Sequence, residues 1–69
     1  MNDLGTRLRC IRLDKHLTVR ELAQRAEVSV SYIYAIEAGA RGRNIRTLQR
    51  IATALGVSLT DLWPQGTQQ

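Results

Sequence analysis

Arg41, Arg43, Arg46 and Arg50 fall within ten residues of one another, just after a segment, SVSYIYAIEAG at 29–39, whose one charge is Glu37. Nine of the ten basic residues in the chain are arginine, and the net charge is +4. A guanidinium fork can donate two parallel N–H bonds to a phosphate or to the edge of a guanine, a geometry that a lysine point charge does not match. Anion binding is therefore the chemistry on offer. Catalysis is not expected: one histidine (His16), one cysteine (Cys10) and scattered carboxylates do not assemble a nucleophile, a base and an orienting group. A single cysteine also rules out an internal disulfide and a cysteine-built zinc cage. No cofactor, metal site or small-molecule ligand is indicated.

These residues need a scaffold, and the chain length limits it. Sixty-nine residues allow one domain, close to the lower limit for a core that holds without staples. Hydrophobic content of 43% is enough for a globular fold. No apolar run approaches the length of a membrane span, and the N-terminus lacks a signal-peptide pattern. A reducing, cytoplasmic setting, in a bacterium or encoded by a phage, is the expectation.

Helix signals run through the chain. Leu4, Leu8 and Ile11 recur at helical spacing, which predicts an amphipathic helix over 3–15. His16 then stands where the chain must turn, and histidine tolerates the left-handed conformation better than most residues with a Cβ. Thr18 and Glu21 form a capping box, so a second helix should begin at Val19, with Leu22, Ala23 and Ala26 on its apolar face. Asn44 caps a further helix in which Ile45, Leu48, Ile51, Ala52 and Leu55 repeat at helical intervals, and Gly56 ends it. Ser58 and Asp61 can cap a last short turn holding Leu59, Leu62 and Trp63. Pro64 discourages further helix, so 1–64 reads as the folded domain and 65–69 as a disordered tail.

The uncharged segment is ambiguous by itself. Val30, Tyr32 and Tyr34 alternate with Ser31, Ile33 and Ala35, and most of these residue types favour strands. A strand there would have no partner strand anywhere in the chain, leaving its backbone groups unpaired. A helix over 29–38, capped by Ser29 and stopped by Gly39, puts Ile33 and Ile36 on one face with Val28 as a staple. The expected fold is all-α: a compact five-helix bundle.

Residues 19–38 resemble a helix-turn-helix unit of the Xre type, the group that includes Cro and the phage repressors. That unit has apolar residues at its fourth, eighth, tenth, fifteenth and eighteenth places and a small one at its fifth. Leu22, Ala26, Val28, Ile33 and Ile36 fill the first set here and Ala23 the last. "LT" at 17–18, "IEAG" at 36–39 and "LGVSLTDLW" at 55–63 extend the likeness from Leu4 to Trp63.

The resemblance implies double-stranded DNA as partner, with the helix at 29–38 entering the major groove. Its outward residues, Val30, Ser31, Tyr32, Tyr34 and Ala35, would meet base edges. They carry none of the arginine–guanine or glutamine–adenine pairings that dominate direct readout, so affinity must come mainly from elsewhere. Tyr32 aligns with a DNA-touching tyrosine of related restriction-modification controller proteins. The loop holding Arg41 and Arg43, with Arg46 beside it, would lie on the phosphate backbone. Helix N-termini at Thr18 and Asn44 would add N–H contacts. Related repressors pair the positions of Arg12 and Glu37 in a partly buried ion pair. Small relatives form homodimers through the region that here holds Val57, Leu59, Leu62 and Trp63.

Three positions depart from the family pattern. Glu27 stands for the usual turn glycine, at a cost on the order of 1 kcal/mol. Val19 stands for a glutamine that many relatives place on a phosphate. Gly42 and Arg43 stand for a frequent asparagine–proline. Two competing readings are an antitoxin-type module whose main partner is another protein, and a nonspecific nucleic-acid binder. The short tail speaks against the first, and the lack of lysine runs and aromatic platforms against the second.

Overall fold

The computed structural model describes residues 4–39 and 44–63. Five helices and no strand occur among them: α1 (Leu4–Asp14), α2 (Val19–Ala26), α3 (Val30–Glu37), α4 (Ile45–Leu55) and α5 (Leu59–Leu62). The ambiguous segment is thus helical, and each expected helix is present to within a residue or two at its ends. The expected tail at 65–69, together with Arg41 and Arg43, lies outside the described residues.

Side-chain caps fix where helices begin. Thr18 accepts the Glu21 N–H at 3.0 Å and gives its own N–H to the Glu21 carboxylate at 2.9 Å, which closes the capping box. Ser29, Asn44 and Ser58 each accept a backbone N–H three residues on, opening α3, α4 and α5. Left-handed residues follow four helices, Gly39 (φ 84°) standing after α3 as expected. His16 (φ 60°) and Glu27 (φ 59°) do so despite their side chains, and Gly56 (φ 77°) does so without strain.

The core draws on every helix. Leu8, Leu22, Ile33, Ile36, Leu48, Ile51 and Leu62 are fully buried. Each contributes roughly 1.5–3 kcal/mol of transfer free energy, an appreciable share for so small a domain. Ala23, Ala26 and Ala52 are buried as well, and their small side chains let α2 pack closely on α3 and α4. Leu17 and Val19 join this core, although the helical periodicity did not mark them. Val19 therefore fills the interior.

Gly5 permits a still closer approach. It sits in the first turn of α1, against the backbone at the end of α3. A Cβ there would lie 2.7 Å from the Glu37 carbonyl oxygen and closer yet to that of Ile36. Nothing in the periodicity had singled it out.

Two expectations are corrected. Leu62 cannot contribute to a dimer surface, because its side chain is 0% exposed and closes the core beneath α5. Ile45 does not face the interior: it is the first residue of α4 and 41% exposed, and the buried stripe begins at Leu48.

Candidate nucleic-acid interface

The surface that could meet a nucleic acid is built where α3 and α4 begin. Val28, Ser29 and Tyr32 from the start of α3 line a groove of about 190 Å³ with Thr47 from the first turn of α4. Neither helix has an acidic residue in its first turn, so the positive end of each macrodipole is unopposed. Arg46 is exposed in that first turn of α4. Asn44 uses its side-chain oxygen to accept the Thr47 N–H at 3.1 Å.

The N-terminus of α2 differs. Thr18 has its N–H and a hydroxyl lone pair engaged with Glu21, and that carboxylate places negative charge at the helix start. A phosphate there would meet repulsion. Of the two helix ends expected to hold phosphates, that of α4 is the better built.

Along α3, Ser31 is exposed and Tyr34 is 59% exposed, the most open large apolar side chain among the described residues. Val30 and Tyr32 are half-buried and pack against the core, so each offers one edge outward and is held by the other. Ala35 is also half-buried. No charged group lies among these five.

Behind this surface α3 is anchored at its far end. Arg12 donates from Nε to Glu37 Oε2 at 2.7 Å and from Nη2 to Oε1 at 3.2 Å, with both side chains 10% exposed. Its Nη1 also donates to the Leu17 carbonyl at 2.9 Å. No buried side-chain polar atom among the described residues lacks a partner. The position of Glu37 at the negative end of α3 is unfavourable, and the Arg12 cation offsets it.

Two ties have no counterpart in the sequence reading. Arg7 Nε donates to the Asp61 carbonyl at 2.8 Å, joining α1 to α5. Arg50 donates to the Glu27 carbonyl at 2.9 Å. Gly5 left only a weak signal, because an isolated glycine in a helical pattern lowers helix propensity without naming the neighbour it packs against. Arginine-to-carbonyl ties across more than 20 residues leave no such signal.

Val57, Leu59 and Trp63 are half-buried, and with half-buried Ala54 they form the apolar edge of α4 and α5. Cys10 is exposed on α1. No grouping of three potential metal ligands occurs among the described residues, and no helix is long and apolar enough to cross a membrane.

Comparison with known proteins agrees with this architecture. A family model described as a helix-turn-helix domain matches residues 3–63. The HTH-type transcriptional regulator DdrOP3 of Deinococcus deserti is 34% identical over 59 residues, covering 86% of this chain and 46% of that protein. The immunity repressor protein of Bacillus phage phi105 is 35% identical over 57 residues, 83% of this chain and 40% of its own. The chain thus spans less than half the length of these two relatives. The crystal structure of the restriction-modification controller protein C.AhdI from Aeromonas hydrophila superposes with a TM-score of 0.84 at 32% identity, over 87% of this chain and 91% of that one. The relatives are regulators rather than enzymes. On the match of nearly its whole length, this chain belongs to the helix-turn-helix domain family found in transcriptional regulators and repressors.

Proposed function

We propose that the chain is a sequence-specific, double-stranded DNA-binding regulator of transcription that acts as a homodimer on a palindromic operator. In this reading α3 enters the major groove and presents Ser31, Tyr32 and Tyr34 to base edges, with Val30 and Ala35 against thymine methyl groups. Arg46, Asn44 and the α4 N-terminus hold the phosphate backbone, joined by Arg41 and Arg43 between α3 and α4 in the sequence. Thr18 contributes least, because its N–H is engaged and Glu21 stands beside it.

The observation that carries the reading is the shared surface of two acid-free helix starts, with an uncharged α3 face and an exposed Arg46 next to it. Dimerisation rests on economy and on the apolar edge: one small domain makes few contacts, and Val57, Leu59 and Trp63 leave apolar surface for a second copy. The relatives' printed names support the role in regulation, and such a protein would act on bacterial or phage DNA in the cytoplasm.

Selecting binding sites from a pool of random duplexes tests this. The expected outcome is a palindrome with half-site centres roughly one helical turn, about 34 Å, apart. Inserting five base pairs between the half-sites turns one to the opposite face and should abolish tight binding. A preferred site without two-fold symmetry would remove the homodimer, and a pool without enrichment would remove sequence-specific reading altogether.

A further inference from the structure

The turn between α2 and α3 sets the direction in which α3 leaves, and it is strained at Glu27 (φ 59°, ψ 44°). The Glu27 N–H is satisfied by the carbonyls of Ala23 and Gln24. Its carbonyl points out of α2, and Arg50 supplies a donor: Nη2 lies 2.9 Å from that oxygen and 3.4 Å from the Glu27 carboxylate. Val28 then bonds back to Ala23 at 3.0 Å, and Ser29 opens α3. Arg50 therefore reaches from the middle of α4 to the first residue of the three-residue turn that separates the two helices of the unit.

Its neighbours favour this placement. Arg50 lines a groove of about 330 Å³ between α2 and α4 together with Arg25 and Arg46. Two like charges in that groove disfavour the other directions open to the guanidinium, while Glu27 is the acidic residue lining it. Arg46, one turn earlier, stands at the helix start, and its side chain makes no hydrogen bond or ion pair with a described residue. The two arginines are one helical turn apart and differently employed.

We propose that Arg50 is a positioning residue for DNA reading: it holds the left-handed Glu27 peptide and so fixes the angle at which α3 is presented, without itself contacting DNA. The inference rests on the reading of α3 as the groove-entering helix. A pure stability role would lower operator and random-DNA binding only through unfolding, whereas a positioning role alters the preference between them.

The test uses Arg50→Ala, Arg50→Lys and Glu27→Gly in the full chain, with thermal melting to establish that each is folded. Each variant is titrated with the selected operator and with a random duplex across a salt series. Amide hydrogen exchange is followed at Glu27 and Val28 against Leu8 in α1. In Arg50→Ala the operator-to-random affinity ratio should fall roughly tenfold, the scale of one lost hydrogen bond from a charged donor. Random-duplex affinity and its salt slope should stay as in the wild type, and exchange should quicken at Glu27 and Val28 alone. Arg50→Lys, keeping one donor, should recover part of the ratio. Glu27→Gly relaxes the turn and should make Arg50→Ala nearly silent when the two are combined. Equal loss on both duplexes with a slope shallower by about one unit would identify a phosphate contact and overturn the proposal. So would an Arg50→Ala protein with unchanged ratio or unchanged exchange at the turn. A wild-type chain without operator preference would instead sink the DNA-reading function, and exchange at Glu27 and Val28 would still decide whether Arg50 holds the turn.

Discussion

Arg12 on α1 grips Glu37, the last residue of α3, with two N–H···O bonds of 2.7 and 3.2 Å, and its remaining terminal nitrogen holds the Leu17 carbonyl at 2.9 Å. One guanidinium thus joins α1, the turn into α2 and the end of α3. Gly5 brings the start of α1 against the same end of α3. The face of α3 proposed to read bases is consequently fixed at its C-terminal end by a buried charge pair and at its N-terminal end by the Ser29 cap and the strained Glu27 turn.

The pair should reveal itself in a mutant cycle. Glu37→Ala strands a buried cation, and Arg12→Ala strands a buried carboxylate and also leaves the Leu17 carbonyl without its donor. Losses of roughly 3 kcal/mol or more are expected for each, the larger for Arg12→Ala, with the double variant losing less than the sum. Chemical denaturation measures all three. Strictly additive losses would mean that the two charges do not support each other.

Gly5→Ala should destabilise the fold even though alanine is the better helix former. The propensity gain is at most about 1 kcal/mol. Against it stands a Cβ driven into the Ile36 and Glu37 carbonyls, which are backbone and cannot rotate away, at a cost of about 1–3 kcal/mol or more. Thermal unfolding of the variant checks the sign. A higher melting temperature would show that α1 can back away from α3 freely.

Gly5 also marks where the sequence stops being readable. Helices, caps and most of the core follow from periodicity and from side chains that bond three residues along the chain, as at Thr18 and Ser29. These are local facts, and they are legible. Leu17 escaped because a turn residue has no place in a helical repeat, and Ile45 misled because an end-of-helix position can satisfy the repeat while facing water. Leu62 misled differently: an apolar residue near the end of the chain looks the same whether it seals its own core or a partner's. Of the candidate interface, the absence of charge on α3 before Glu37 was legible, the half-burial of Val30, Tyr32 and Ala35 was not, and the Arg12–Glu37 pairing came only through family resemblance. The ties from Arg7 and Arg50 depend on how α5 and the α2–α3 turn are placed in space, which no spacing encodes.

The two kinds of apolar residue near α5 should separate experimentally. Leu62→Ala should lower unfolding stability by about 2–5 kcal/mol, because it opens a cavity in the core of one chain. Val57→Ser, altering a half-buried edge residue, should chiefly weaken self-association. Analytical ultracentrifugation over a range of concentrations would then show a shift in the monomer–dimer balance for Val57→Ser. A Leu62→Ala protein with normal stability and impaired dimerisation would restore the interface role that its burial denies.

Positioning on phosphates and reading of bases should likewise come apart. Alanine at Arg41, Arg43 or Arg46 should weaken operator and random duplex about equally. Each change should also make the slope of log affinity against log salt shallower by about one unit per arginine, or two per dimer. Glu21→Gln keeps an oxygen to cap α2 and removes the charge that opposes phosphate, so it should strengthen both duplexes alike. Substitutions at Ser31 and Tyr34, exposed on α3, should change which sequence is preferred and leave the salt slope nearly intact. A mismatch at a base pair they read should cost about 1–3 kcal/mol. Because α3 carries so few strong hydrogen-bonding groups outward, part of the discrimination should fall on base pairs the protein does not touch, through their deformability. Binding to both duplexes across a salt series resolves these effects. Were Arg46→Ala to change the preferred sequence while Ser31 and Tyr34 variants kept it, the recognition surface would lie on α4 instead of α3.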